Sequence, residues 1–267
     1  MSPTSFEQLV QEALDHSFSG WDFSWLDSRW YEAAPSWDYR QVVQDKIKNV
    51  ASLLDMGTGG GEFLSSLADL PPATYATEGY APNIPVAKEL LEPLGIKVVQ
   101  VVDDNALPLP SAAFDLVINR HESYALPEVF RILRPGGVFL TQQVGPRDCV
   151  ELNQYLEAPL EPDIHSWSLA QEKTAVEEAG LRIRRSEEQL LDSKFYDIGA
   201  VVYYLKVIAW QIPDFSVEGY REHLEAMYRL IERQGAFFAT AHRFLIEAEK
   251  PETITLANSN SSLKSWA

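Results

Sequence analysis

The chain has a single cysteine, Cys149, among its 267 residues. That excludes an internal disulfide framework and suits a reducing compartment. No metal-ligand spacing surrounds this cysteine. Cations are also scarce: 22 Lys and Arg stand against 39 Asp and Glu, a formal net charge of −17. Phosphate backbones are bound by clustered Lys and Arg, so nucleic acid is a disfavoured partner. No apolar run approaches the roughly 18 residues that span a bilayer. Residues 1–16 are acidic and lack the basic start and apolar run of a signal peptide, which predicts a cytoplasmic protein. Repeats at solenoid periods are absent. What remains is ordinary for a globular chain with a large core: 46% hydrophobic and 23% charged residues, enough for one elaborated α/β domain.

Residues 1–48 differ from the rest, since four of the seven Trp fall at Trp21, Trp25, Trp30 and Trp37. Phe6, Leu9, Val10 and Leu14 recur at helical spacing, and a second helix fits Tyr39 to Lys48. From about residue 50, apolar runs alternate with helical patterns. Strands are predicted at 50–55, 74–78, 96–102, 114–119 and 137–143, with helices at about 62–70, 85–94 and 126–133. Such alternation implies a parallel sheet covered on both faces. Further on, helices are expected at 168–179, 198–210 and 218–233, with a strand from Leu181 and a last strand at 241–248. Residues 251–267 form a polar, Ser/Asn-rich tail.

The first predicted strand ends in Asp55-Met56-Gly57-Thr58-Gly59-Gly60-Gly61 and opens a helix. Glycine at such a turn lets a ligand approach the backbone at the positive end of the helix dipole. Spacing discriminates among nucleotide ligands. The dinucleotide fingerprint wants Gly or Ala at the sixth position from Gly57, and Glu62 stands there, against a nicotinamide oxidoreductase. Asp55 is placed to hold a ligand ammonium.

This loop resembles the first motif of the class I S-adenosylmethionine-dependent methyltransferases, of the small-molecule, type 11-like kind. Three further segments follow in that family's order. Glu78, with Gly79 after it, ends the second strand where the family's acid holds the ribose hydroxyls. Asp103-Asp104-Asn105-Ala106-Leu107-Pro108-Leu109 resembles its acidic loop, Asp103 meeting the adenine amine and Asp104 making a backbone contact. Phe114-Asp115-Leu116-Val117 and Leu133-Arg134-Pro135-Gly136-Gly137 resemble the fourth strand and the turn before the fifth. The resemblance covers residues 50–145 well. It implies a Rossmann-like, doubly wound, seven-stranded sheet, mainly parallel with one antiparallel strand near 242–248. A helical cap would come from residues 1–48 and an insertion at about 196–235, on a cofactor domain at 49–250. Cofactor contacts are expected from Asp55, Gly57, Thr58, Gly59, Gly61, Glu78, Gly79, Asp103, Asp104, Asn105 and Asn119, with no metal.

The sulfonium methyl is already activated, so in-line displacement mainly needs an oriented nucleophile. A base helps only when the acceptor is a hydroxyl or a protonated amine. Asn119-Arg120-His121-Glu122 occupies the edge over the cofactor, which makes His121 the candidate base, oriented by Glu122. The other reading has His121 packing or bonding the cofactor. Asp115 is read as structural. The amino-methylating Asn-Pro-Pro-aromatic or Asp-Pro-Pro-aromatic signature is missing there. The Trp-rich N-terminus and Tyr203-Tyr204 are read either as a substrate lid or as plain core; Arg29, Tyr39, Arg40, Gln142 and Gln143 are secondary candidates. The expected function is methyl transfer to a small-molecule acceptor, releasing S-adenosylhomocysteine. Alternatives are an RNA or protein methyltransferase, a non-catalytic S-adenosylmethionine-binding module, and an oxidoreductase. Replacing Asp55 or Glu78 by Ala is expected to weaken cofactor binding at least tenfold, since a charge-assisted contact is worth about 1.5–3 kcal/mol; calorimetry of both variants checks it.

Overall fold

The computed structural model describes residues 5–160, 162 and 167–252. Its strands are β1 (Trp30–Glu32), β2 (Ser52–Met56), β3 (Ala73–Glu78), β4 (Lys97–Gln100), β5 (Phe114–Arg120), β6 (Leu133–Val144), β7 (Arg182–Phe195) and β8 (Phe237–Glu249). Its helices are α1 (Phe6–Asp15), α2 (Tyr39–Ile47), α3 (Glu62–Ser65), α4 (Asn83–Leu91), α5 (Leu126–Ile132), α6 (Val150–Tyr155), α7 (Leu169–Glu178), α8 (Ile198–Val207) and α9 (Arg221–Gln234). Every residue of β2 is buried, as a central parallel strand covered on both faces must be.

Among the described residues the strands form one sheet in the order β1-β7-β8-β6-β5-β2-β3-β4. β2 pairs in parallel with both β3 and β5, β3 with β4, and β5 with β6. β8 runs antiparallel to β6 and β7, and β1 antiparallel to β7. The chain therefore winds outward from β2 in one direction and from β5 in the other. The crevice between their carboxyl ends is the switch point at which such sheets bind ligands.

Two features depart from the seven-stranded expectation. The N-terminal segment adds an eighth strand, β1, whose three residues are too few to show alternation. β7 is longer than an apolar pattern suggests, because Arg182, Arg184, Arg185, Glu187 and Glu188 lie along it and its outer face meets water.

The apolar face of α1 (Phe6, Val10, Ala13) packs with α6, α9, Phe237 and Ala239 around the wholly buried stretch Ile198–Leu205 of α8. The α8 N-terminus is set by Asp197, whose Oδ1 accepts from Ala200 N at 2.9 Å. The same carboxylate takes a two-pronged contact from Arg29, at 2.8 and 2.7 Å. Arg29 is thus a structural clamp rather than a site residue. The expected tail at 251–267 lies outside the described residues after Glu252. Among the described residues, no helix is long and apolar enough to cross a membrane.

One buried cation fastens the N-terminal strand to this frame. Arg243 of β8 donates to Glu32 of β1 at 2.5 Å and pairs on its other side with Asp148. Asp148 also accepts from His242 N at 2.8 Å. Removing one member of a buried pair strands the other charge, so Arg243→Ala is expected to cost about 3–5 kcal/mol, read from denaturant unfolding.

Candidate active site

β2 delivers its chain end into the glycine loop at the switch point. Gly57 has φ +71°, and a Cβ there would run into the Glu122 side chain, so both conformation and space demand glycine. Thr58 N donates to Thr77 O at 2.9 Å, and Thr58 Oγ1 to Asp55 Oδ2 at 2.8 Å. Gly61 caps the short α3 at φ +90° and faces Leu91 of α4. Gly59 lies under Trp21, whose Cβ would be 3.2 Å from an added methyl.

Beside this loop opens a cavity of about 390 Å³, walled by Gly57, Glu78, Gly79, Asp104, Glu122 and Ser123. Tyr80 and Val102 stand on its rim with 65% and 92% of their surface exposed. Two such apolar groups left wet beside a cavity suit a planar ligand that would cover them. Glu78 Oε1 accepts from Tyr80 N at 2.7 Å. Burial raises the pKa of Glu78 and Glu122 above the ordinary value, and that of Asp55 to about 6. Among the described residues none of Asp55, Glu78, Asp104 and Glu122 forms an ion pair. A cationic ligand would relieve that desolvation.

The acidic loop is arranged differently from expectation. Asp103 Oδ1 accepts from Asn105 N at 2.8 Å and Asn105 Nδ2 at 3.0 Å, a self-contained turn at the surface. Asp104 instead faces the cavity, accepting from Ser123 Oγ at 2.8 Å. Asn119 is also corrected. It is fully buried, donates to Met56 O at 3.3 Å, and accepts from Thr141 at 3.0 Å and Gln143 at 2.5 Å. It brackets three strands from inside the sheet and is not part of the cavity wall. Asp115 accepts from Ala51 N and Ser52 N at the sheet's opposite edge, and is structural as read.

Nor does His121 present a base. Trp37 Nε1, which can only donate, reaches Gln142 Oε1 at 2.8 Å. Gln142 must then turn its amide N–H toward His121 Nε2, 3.1 Å away. That leaves the imidazole proton on Nδ1 and no free lone pair. Burial, then the nearby Arg243 and Arg120 guanidinia, push its pKa well below the ordinary value. His121 is held neutral at φ +58°, a conformation uncommon outside glycine.

Of the stretch 119–122 singled out in the sequence, with His121 as candidate base and Glu122 orienting it, Glu122 is the residue that walls the cavity. The signal for Tyr80 and Val102 was their apolarity immediately after a strand end. Strand register adds a pattern that no linear reading shows. Asp55 pairs with Ala76 and Ile118, and Arg120 with Gln142, which pairs with Leu245. With side chains alternating along each strand, Glu78, Asp55, Arg120, Gln142 and Arg243 share one face. Tyr39 and Arg40, from the helix over that face, bond to Asn119 O and Ser66 O.

Residues 54–141 match a family of methyltransferase domains, type 11. Over 120 residues the chain is 36% identical to a fatty-acid O-methyltransferase of Mycolicibacterium smegmatis, covering 41% of this chain and 43% of that protein. The match thus spans less than half the length of that relative. Among solved structures, a candidate methyltransferase from Bacillus halodurans C-125 superposes with a TM-score of 0.58 at 16% identity, covering 80% of this chain and 99% of that one. The (4+2)-cyclase SpnF gives 0.52 at 16% identity, covering 92% and 93%. At such identities the likeness is one of fold. Residues 54–141 thus match a methyltransferase domain, set in a sheet with the fold of the methyltransferase structure it superposes on.

The unpaired carboxylates suit S-adenosylmethionine, which brings a sulfonium and an ammonium. Asp55 is ionised above about pH 6 and neutral below. Cofactor affinity is therefore expected to fall as pH drops through 6. In Asp55→Asn that step should vanish, leaving only the contributions of Glu78 and Glu122. Calorimetry between about pH 5 and 8 measures it.

Proposed function

We propose that the protein transfers the methyl group of S-adenosylmethionine to a small-molecule acceptor by in-line displacement. The observation that carries this reading is the cavity at the switch point, where carboxylates that make no ion pair stand beside the glycine loop. In this reading Glu78 holds the ribose hydroxyls, and Asp104 meets the adenine amine. Tyr80 and Val102 cover the adenine faces, while Gly57 lets the ligand lie close to the backbone. Asp55 and Glu122 face the positive charges. The bound cofactor supplies an activated methyl; the chain supplies position, countercharge and exclusion of water.

A small acceptor fits the charge balance better than RNA, because net charge and cavity are both acidic. The relative from M. smegmatis is named for a small acceptor, a fatty acid. The cyclase SpnF shows that this fold also serves other chemistry, so the test must follow the methyl group itself. Incubation with donor labelled in the methyl group and a metabolite extract is expected to label one small product. Cofactor binding in calorimetry with no labelled product in any extract would favour the binding-module reading.

Since His121 has no free lone pair, His121→Ala is expected to lower kcat less than about tenfold and leave its pH profile unchanged. A loss of about 10²–10⁴ with an altered profile would restore it as a base.

A further inference from the structure

The row of side chains at the carboxyl edge changes sign along its length. Glu78 and Asp55, at the ends of β3 and β2, are acids; Arg120 and Arg243, on β5 and β8, are bases. The two arginines are not equivalent. Arg243 is buried and already held by Glu32 and Asp148. Arg120 makes no ion pair and no side-chain hydrogen bond among the described residues. Its guanidinium stands 5.5 Å from the centre of the Phe63 ring. Arg120 is exposed to solvent, yet the protein around it desolvates the group enough to lower its pKa from the ordinary arginine value. It stands at the end of β5, with the Phe63 ring on one side and solvent on the other. It is also a cation whose hydrogen-bonding capacity is unused, with only the longer-range attraction of Asp55 and Glu32 beside it, in a protein of net charge −17.

Guanidinium has five donors in a planar fork that fits a carboxylate with two parallel hydrogen bonds. We propose that Arg120 is the anchor for the acceptor, and that the acceptor is a carboxylic acid methylated on oxygen. This rests on the methyl-transfer reading above and names its substrate class. The cationic donor lies over the acidic half of the row, and the anionic acceptor over the basic half. Chemistry agrees with the missing base. A carboxylate oxygen forms the new C–O bond with its own electron pair as the C–S bond breaks, and that pair goes to sulfur. The negative acceptor and positive sulfonium become a neutral ester and a neutral thioether. No proton moves, so a site whose histidine lone pair is occupied loses nothing. An alcohol or protonated amine would need a base that His121 does not provide.

The test is binding of decanoate and benzoate, with decanol and benzyl alcohol as matched neutral probes, followed by tryptophan fluorescence. It is run with and without saturating S-adenosylhomocysteine, on wild type, Arg120→Met and Arg120→Lys. At least one acid is expected to bind the wild type more tightly than its alcohol. Arg120→Met should weaken that binding about tenfold or more. Arg120→Lys should recover part of it, and S-adenosylhomocysteine affinity, measured at about pH 8 where Asp55 is ionised with or without Arg120, should stay unchanged in both. Equal acid binding by wild type and Arg120→Met overturns the proposal. So does a loss that falls on S-adenosylhomocysteine, since the carboxylate held would then be the cofactor's own. Tighter binding of the alcohols overturns it as well. Arg120-dependent acid binding in a protein that fails to bind S-adenosylhomocysteine would uphold the anchor and sink the methyl-transfer reading.

Discussion

The structure turns on carboxylates that are taken out of water at one edge of a sheet with no ion pair made there. Asp55, Glu78 and Glu122 are each pushed toward their protonated forms by burial. What holds them is hydrogen bonding from Thr58, from backbone N–H groups of the glycine loop and strand ends, and from Ser123. Hydrogen bonds of this kind offset part of a desolvation cost and leave the net charge in place. The folded chain therefore carries a standing electrostatic demand, which a ligand with two positive centres meets. Stability elsewhere makes this tolerable: a fully buried β2, a continuous apolar layer on either side, and Arg243 closing its own charges completely.

Much of the fold was readable from the linear order. Residues 50–55, 114–119 and 137–143 announce themselves because a strand covered on both faces is largely apolar, whereas the exposed residues 134–136, read as a turn, also belong to β6. The length of β7 was hidden for the converse reason: its outward residues are Arg and Glu, and its strand character is set by the neighbours β1 and β8. Strand β1 was hidden by brevity, since Trp30, Tyr31 and Glu32 pair only because the chain returns to Ser193–Phe195.

The site was half legible. Gly57, Glu78 and the acidic loop stand out because local geometry dictates their residue types. Which of two adjacent aspartates faces inward is decided by a turn that Asn105 closes on Asp103, a choice made by hydrogen bonds three residues wide. His121 looked like a base because histidine titrates near neutrality, but Trp37, more than eighty positions away in the chain, sets its tautomer through Gln142. Arg120 lay within the stretch 119–122 without a role of its own, since nothing in the linear order tells that an arginine makes no ion pair. Register across four strands had to be known before the row from Glu78 to Arg243 could be seen.

The N-terminal segment is moored at two points, by α1 against α8 and by β1 against β7. Between the moorings, Trp21 rests on Gly59 of the cofactor loop and stacks with Trp210, ring centres 6.2 Å apart and planes 2° from parallel. Within the span Leu26 is buried and Arg29 is clamped to Asp197, so the exposed Trp21 and its turn are the least anchored part. A lift of that turn would uncover Gly59 on the timescale of loop motion, roughly nanoseconds to microseconds, rather than that of whole-domain rearrangement. Uncovering the glycine loop would then leave the sheet intact: the door can swing while its frame stays bolted.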